Sequence, residues 1–259
     1  MDINLMVVSV GNSRVAVGVF KAGELVHSSR VGWRGNESGV KEAVSDAWKM
    51  LSQLDTPGVA GAGVNPEGEL LVEKVVGEVC NMRVQWAGKQ LEYPMVIRPE
   101  DEKSIGADRV CNVAAAYEQM GKACVVVDAG TAITVDVCDD AGGFMGGAIA
   151  PGASLMLKSM HEATARLPLL EPAKPQEAIG TTTNDAMLSG VYFGIRGMVK
   201  ELVEAYAEKL GAWPEVIATG GDAQLLFGDW ELTHAVSPDL TLYGIALTFA
   251  EHYIKHPEG

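Results

Sequence analysis

The chain has 259 residues, 47% hydrophobic and 21% charged, with 20 Lys+Arg against 34 Asp+Glu for a net charge of −14. Such a chain has apolar content for one large or two small globular domains, which excludes general disorder. The acidic balance and the lack of any basic run speak against a nucleic-acid backbone or an anionic membrane as partner; ATP stays open, because helix N-termini, backbone N–H groups and Mg²⁺ hold phosphates without many basic side chains.

In chain order, residues 7–23 (VVSVGNSRVAVGVFKAG) read as two β-branched strands around a Gly turn, a hairpin. Residues 25–31 suit a third strand. Val40, Ala43, Val44, Ala47, Trp48, Leu51 and Leu54 share one face of a helix over 38–54. A short buried strand is expected at Val59–Val64, a helix at 68–80 and a strand at 82–87. A polar, proline-punctuated loop runs from Pro94 to Ser104. Gly106–Met120 predicts a helix, with Gly121 as its C-cap. Residues 126–142 (VVDAGTAITVDVCDDAG) then repeat the first hairpin. A constant offset of 119 superposes Val8 on Val127, Gly11 on Gly130, and Ala22-Gly23 on Ala141-Gly142. Two copies half a chain apart predict two similar domains facing each other. FMGGAIAPG follows as a Gly-rich strand. Helices are expected at 152–166 and 184–210, a strand at 215–219, and a last helix at 241–256. Strands mixed with helices indicate an α/β fold.

Cys80, Cys111, Cys124 and Cys138 have neither metal-ligand nor disulfide-framework spacing, so buried free thiols in a reducing compartment are expected. The histidines form no metal-binding pair; His252 and His256 suit solvated surface near the C-terminus. The N-terminus lacks a basic leader region, and no apolar run approaches about 18 residues. The expectation is a soluble, cytoplasmic protein.

Four turns can carry chemistry: SVGNSR (9–14), GADR (106–109), DAGT (128–131) and TGGDA (219–223). A glycine turn between strands lets backbone N–H groups approach a phosphate. Gly11-Asn12-Ser13-Arg14 adds two polar side chains and a cation. Asp128-Ala129-Gly130-Thr131 adds a carboxylate for a cation and a hydroxyl for a phosphate oxygen. Each alone reads more readily as a plain turn; all four in order, two as copies of one unit, reverse that and favour a clamp for a nucleoside triphosphate. Asp108 opens a predicted helix, where orphan N–H groups and the helix dipole favour its ionised form. There it can serve as the base in phosphoryl transfer or simply cap the helix. Arg109 can hold a substrate carboxylate or make a surface ion pair. Gly180-Thr181-Thr182-Thr183 can offer substrate hydroxyls or an N-cap. No P-loop, nucleophile elbow or dinucleotide-binding glycine motif is present.

Taken together, GNS (11–13), GADRVCNVAAA (106–116), VVVDAGTAITVDV (125–137), GGAIAPG (146–152), LP (167–168), GTTT (180–183), SGVYFG (189–194), ATGGDA (218–223) and PDLTLYGI (238–245) resemble the type III pantothenate kinases. These motifs span nearly the whole chain. The resemblance implies two ribonuclease-H-like α/β domains of the acetate and sugar kinase, Hsp70 and actin superfamily, with mixed sheets flanked by helices, over 1–121 and 122–259. It implies ATP-dependent phosphorylation of pantothenate to 4′-phosphopantothenate, in coenzyme A biosynthesis, by a homodimer using Mg²⁺ and a monovalent cation, K⁺ or NH₄⁺. Residue by residue, Asp108 resembles the proton acceptor. Gly106, Ala107, Asp108, Arg109 and Thr183 resemble pantothenate-binding positions. Asp128 resembles the monovalent-cation ligand. Ser9, Val10, Gly11, Asn12, Ser13, Arg14, Val15, Ala16 and Thr131 resemble ATP-contacting positions.

The sequence departs from the family pattern at the first hairpin, where Ser9 stands for the usual Asp and Ser13 for Thr, and at Pro99, where a Tyr usually precedes the GADR glycine by seven residues. Ser9 lacks the carboxylate that Asp128 supplies at the matching position of the repeat. The alternative is therefore a catalytically impaired or non-catalytic homologue that binds nucleotide or pantothenate and acts through a partner. Ser9 and Pro99 favour it; Asp108, Arg109, Asp128 and Thr131 oppose it. A kinase for another small alcohol, changed only in loop 94–104, is a third reading.

Overall fold

The computed structural model describes residues 3–256. The chain divides into two compact units: Met1–Ala115 with Asp239–Gly259, and Ala116–Pro238. In the first unit, β1 (Leu5–Val10), β2 (Arg14–Lys21), β3 (Glu24–Gly32), β4 (Gly58–Gly63) and β5 (Gln85–Trp86) form a five-stranded sheet in the order β3-β2-β1-β4-β5. In the second, β6 (Cys124–Ala129), β7 (Ala132–Cys138), β8 (Phe144–Pro151), β9 (Glu215–Thr219) and β10 (Ala235–Val236) take the order β8-β7-β6-β9-β10. In each, the first three strands pair antiparallel and the rest parallel. The repeat read from two hairpins is thus a repeat of a whole sheet.

The match extends to an irregularity. The β2–β3 pairing shifts register between Val19 and Phe20, and β7–β8 between Val137 and Cys138. The constant offset of 119 does not hold through the second strand, however. Val10 pairs with Val15 across Gly11-Asn12-Ser13-Arg14, while Ala129 pairs with Ile133 across the shorter Gly130-Thr131-Ala132 turn. That turn is shorter by one residue, so β7 falls one position behind; the longer turn before β8 restores the offset.

Around these sheets lie α1 (Glu37–Leu51), α2 (Pro66–Cys80), α3 (Ala107–Met120), α4 (Ala153–Ala163), α5 (Thr183–Leu210), α6 (Ala223–Phe227) and α7 (Leu240–Lys255). Met6, Val8 and Val10 of β1 pack with Val40 and Val44 of α1 and Val72 and Val76 of α2. Leu5 and Val7 belong to the opposite face, with Ala107 and Cys111 of α3 and Leu242 and Ile245 of α7. Burial on both faces explains why β1 reads as an unbroken apolar run rather than an alternation. Each such side chain contributes about 1.5–3 kcal/mol on full burial. In the second unit, Val125, Val127 and Ala129 of β6 pack with Leu157 of α4 and Ile195 and Val199 of α5. Side chains cap the helices as their sequences suggest: Asn36 accepts from Gly39 N–H, Asn65 from Gly68 N–H, and Thr182 from Asp185 N–H. Gly121 sits at φ +65°, with its N–H on the Tyr117 carbonyl, as a C-cap should.

The compact units differ from a division at 121/122. The boundary falls inside α3, and α7 belongs to the first unit although it lies at the end of the chain. Its apolar side completes the second face of the first sheet, and Gly244 lets α7 approach the α3 backbone closely. A Cβ at Gly244 would lie 2.0 Å from the Cys111 carbonyl oxygen. Further differences are local. α1 stops at Leu51, leaving Leu54 exposed, and the strand over 82–87 is only Gln85–Trp86. α6 and β10 are too short for periodicity to reveal them.

All four cysteines are buried and free. Burial pushes the Cys80 and Cys111 thiols up to about 12. Cys124 is pushed up by its hydrogen bond to Cys138, 3.3 Å away, and by burial. Because the thiolate is the reactive form, a raised value means still less of it at pH 8. Native protein should not react with a chromogenic disulfide reagent at pH 8, and guanidinium-unfolded protein should release four equivalents. Rapid reaction of the native form would contradict the packing.

Candidate active site

The first hairpin is held at its tip from outside its own strands. Gly11 N–H donates to the Arg14 carbonyl at 3.0 Å. The Trp33 indole N–H donates to the Gly11 carbonyl at 3.0 Å, and Arg34 Nε to the Asn12 carbonyl at 3.1 Å. Asn65, which caps α2, donates from Nδ2 to Asn12 Oδ1 at 3.4 Å. Val10 and Val15 are buried, so only their backbones are open to a ligand. Ser9 faces the same side of the sheet as Leu5 and Val7 by strand alternation. It pairs with Ala16 and Ala62, whereas Asp128 pairs with Thr134 and Thr219, so the two occupy matching places in their sheets.

Gly106 to Arg109 lie beside this hairpin in the same unit. A Cβ at Gly106 would lie 3.2 Å from Val64, whose N–H donates to the Val10 carbonyl at 3.0 Å. Asp108 stands in the first turn of α3, and its Oδ1 accepts from Arg109 N–H at 2.8 Å. The same Cβ at Gly106 would lie 2.6 Å from Asp108 Oδ1, so a side chain there would displace the carboxylate. Gly106 and Ala107 also line a pocket of about 850 Å³ that runs past Tyr93, Met95 and Val96 to Trp86 and Lys89. Tyr93 has its hydroxyl in space left by Gly88: a Cβ there would lie 2.3 Å from it. Burial foremost, then the charges of Cys111, Asp108 and Glu102, raise the Tyr93 pKa and keep the phenol protonated.

In the second unit, Asp128 and Thr131 share the tip of β6 and β7. Gly130 N–H donates to the Ala132 carbonyl, and Gly152 N–H to the Thr131 carbonyl, each at 3.0 Å. Asp222 N–H donates to the Ala129 carbonyl at 2.9 Å. Gly220, at φ +95°, packs closely against two oxygens: a Cβ there would lie 2.4 Å from both Ala129 O and Asp128 Oδ1. Thr183 is the exposed first residue of α5, while the capping hydroxyl is that of its neighbour Thr182.

The two turn glycines correct one expectation. Both N–H groups are spent inside their own hairpins, so neither is a free donor to a ligand. Trp33, Arg34 and Tyr93 were not singled out from the sequence. Trp33 and Arg34 carry no motif; Tyr93 borders the loop already noted, but thirteen residues before Gly106 rather than seven.

Two copies of one mixed sheet, each opening on a glycine hairpin, make an α/β fold of two like halves. The fold is similar to component A of (R)-2-hydroxyglutaryl-CoA dehydratase from Acidaminococcus fermentans (TM-score 0.59, 14% identity, 99% of this chain and 100% of that one). It is also similar to MreB5 of Spiroplasma citri bound to ADP (TM-score 0.55, 9% identity, 99% of each chain). The family model of type III pantothenate kinase matches residues 5–205. Curated type III pantothenate kinases share 32% identity in Dehalococcoides mccartyi (96% of this chain, 98% of that one) and 31% in Brevibacillus brevis (95% and 98%). The chain belongs to the type III pantothenate kinase family.

Proposed function

We propose that this chain transfers the γ-phosphoryl group of ATP to the primary hydroxyl of pantothenate, giving 4′-phosphopantothenate, the first step of coenzyme A biosynthesis. The observation that carries this reading is the Gly106–Arg109 turn, with Asp108 at the start of α3 and Gly106 and Ala107 in the wall of the pocket. In the transfer, the bond from the γ-phosphorus to its bridging oxygen breaks and one to the substrate oxygen forms. The hydroxyl proton passes to Asp108, and ADP leaves. Gly106, Ala107, Arg109 and Thr183 are assigned to pantothenate. The segment Ser9–Ala16 and Thr131 are assigned to ATP.

Asp128 Oδ1 and the Ala129 carbonyl oxygen lie together against Gly220, and we assign K⁺ or NH₄⁺ to the Asp128 carboxylate. Among the described residues no cluster of three or more His, Cys, Asp or Glu forms a self-sufficient metal site. Mg²⁺ commonly takes one or two carboxylates and completes its shell with nucleotide phosphates and water, and we assign it to the bound ATP. When bound, these cations supply neutralisation of phosphate charge.

The test is purified protein with ATP, Mg²⁺ and pantothenate in K⁺ or Na⁺ buffer, with 4′-phosphopantothenate read by mass spectrometry. Turnover in K⁺ that falls in Na⁺ is expected. Measurable ATP affinity without turnover would favour the non-catalytic alternative, which the relatives' names do not support. Ser9→Asp restores the carboxylate present in the repeat and should lower the Mg²⁺ concentration needed for half-maximal rate. An unchanged Mg²⁺ dependence would show that this carboxylate is dispensable.

A homodimer is part of the same reading. The exposed Ile149, Leu155 and Phe193 support it, as does the open space above Gly190, Gly194 and Gly197 along α5. Sedimentation equilibrium checks the mass. No helix of the described residues is long and apolar enough to cross a membrane, and a cytoplasmic location is proposed with the activity.

A further inference from the structure

We infer that Trp33 and Arg34 are positioning residues for ATP: by holding two successive carbonyls of the first hairpin, they turn the backbone N–H groups of Asn12 and Ser13 toward the phosphates. This rests on the assignment of Ser9–Ala16 to ATP, and every contact it uses lies within the first unit.

The buried Trp33 donates its indole N–H to the Gly11 carbonyl at 3.0 Å, and Arg34 Nε donates to the Asn12 carbonyl at 3.1 Å. The Arg34 guanidinium lies over the Trp33 ring, 4.7 Å from its centroid, so the two donors approach from one side. A trans peptide is planar, and its C=O and N–H point in opposite directions. The Gly11 carbonyl shares a peptide with the Asn12 N–H, and the Asn12 carbonyl shares one with the Ser13 N–H. Both peptides are trans. Drawing the two carbonyls toward Trp33 and Arg34 therefore turns both N–H groups the other way, at a tip where Asn12 and Ser13 are exposed. Successive N–H groups turned to one side make the kind of backbone concavity that binds phosphate oxygens. The Gly11 N–H, spent on the Arg14 carbonyl, is not one of them.

The two donors are themselves fixed. Asn36 N–H donates to the Trp33 carbonyl at 3.1 Å and Asn36 Nδ2 to the Gly32 carbonyl at 3.0 Å, while the same side chain caps α1. The Trp33 ring packs at the start of α2, where a Cβ on Gly68 would lie 3.2 Å from Trp33 Cε2. Asn65, which caps α2, donates to the Asn12 side chain at 3.4 Å. The tip is thus tied to the N-termini of α1 and α2. Donors fixed before the nucleotide arrives lower the ordering cost of binding it.

The test is calorimetric titration of ATP, with steady-state kinetics, on Arg34→Ala and Arg34→Gln. Arg34 is exposed, so neither change threatens the fold. Counted along the side chain, Gln Nε2 takes the place of Arg Nε. Arg34→Gln therefore keeps a donor for the Asn12 carbonyl and removes the charge. Arg34→Ala is expected to raise the Kd for ATP by about fivefold, the equilibrium worth of one ordinary hydrogen bond, and the KM for pantothenate by less than about twofold. Arg34→Gln should recover most of that loss. Trp33→Phe, which keeps an aromatic ring and loses the N–H, should weaken ATP binding as Arg34→Ala does. An unchanged Kd in Arg34→Ala overturns the inference, and so does a parallel rise in the KM for pantothenate, which would mark general loosening. Arg34→Gln as weak as Arg34→Ala also overturns it, because the guanidinium charge would then act on the phosphates directly. ATP binding by the parent without turnover would overturn the kinase reading alone, with the Kd values still deciding this inference. No ATP binding by the parent overturns both.

Discussion

Asp108→Asn is expected to lower kcat by about 10²–10⁴-fold, the usual worth of a positioned acid or base, with the Kd for ATP nearly unchanged. The substitution is close to isosteric. An amide oxygen can still accept from Arg109 N–H, as the Asp108 carboxylate does at 2.8 Å, so the start of α3 should keep its shape. What disappears is the ability to take the proton of the bound alcohol. Steady-state kinetics with calorimetric ATP titration separate the two roles. A fall in thermal stability with unchanged kcat would reduce Asp108 to a helix-terminal carboxylate. A parallel loss of ATP affinity would make it structural for the nucleotide site.

Gly244→Ala should produce a large stability loss for a single added methyl group. The added Cβ would lie 2.0 Å from the Cys111 carbonyl oxygen and 2.4 Å from the carbonyl carbon, backbone atoms that cannot rotate away. α3 and α7 must therefore separate. Separation strains the contacts of Leu242 and Ile245 with Cys111 and the Thr241–Asn112 hydrogen bond of 2.7 Å. A cost of about 3 kcal/mol or more is expected for overpacking against backbone. For a chain of this size that is a fall in Tm of about 6–12 °C. Because α3 carries Asp108 at its first turn, displacement of about 1 Å should also cost about 10²-fold in kcat. Gly77→Ala is the control. Gly77 lies in α2 with nothing within 4 Å of the new Cβ, so the change should stabilise by about 0.5–1 kcal/mol through helix propensity alone. Circular-dichroism melts of both variants test the contrast; equal Tm values for Gly244→Ala and the parent would refute the crossing.

The element order, the two hairpins, the helix that opens with Asp108 and most strand positions could be read from the chain itself. These depend on local pattern: β-branched runs, Gly at turns, and apolar positions at helical spacing. The repeat was legible too, because Gly11 and Gly130 follow similar apolar strands. Motif order alone brought out Asp108, Asp128 and Thr131, since their chemistry is a property of residue type and spacing. Tertiary structure decided the rest. α7 covers the first sheet although it ends the chain, because Leu242 and Ile245 need a face to cover and only Gly244 lets α3 come close enough. The N–H groups of Gly11 and Gly130 go to their own hairpins, which depends on strand register. Trp33 and Arg34 hold the first hairpin from more than twenty positions away, and Tyr93 joins the pocket through space vacated at Gly88. Local periodicity reports which side of an element is apolar. Which distant element covers that side, and which polar group meets which, is set by packing between residues that the chain order keeps apart.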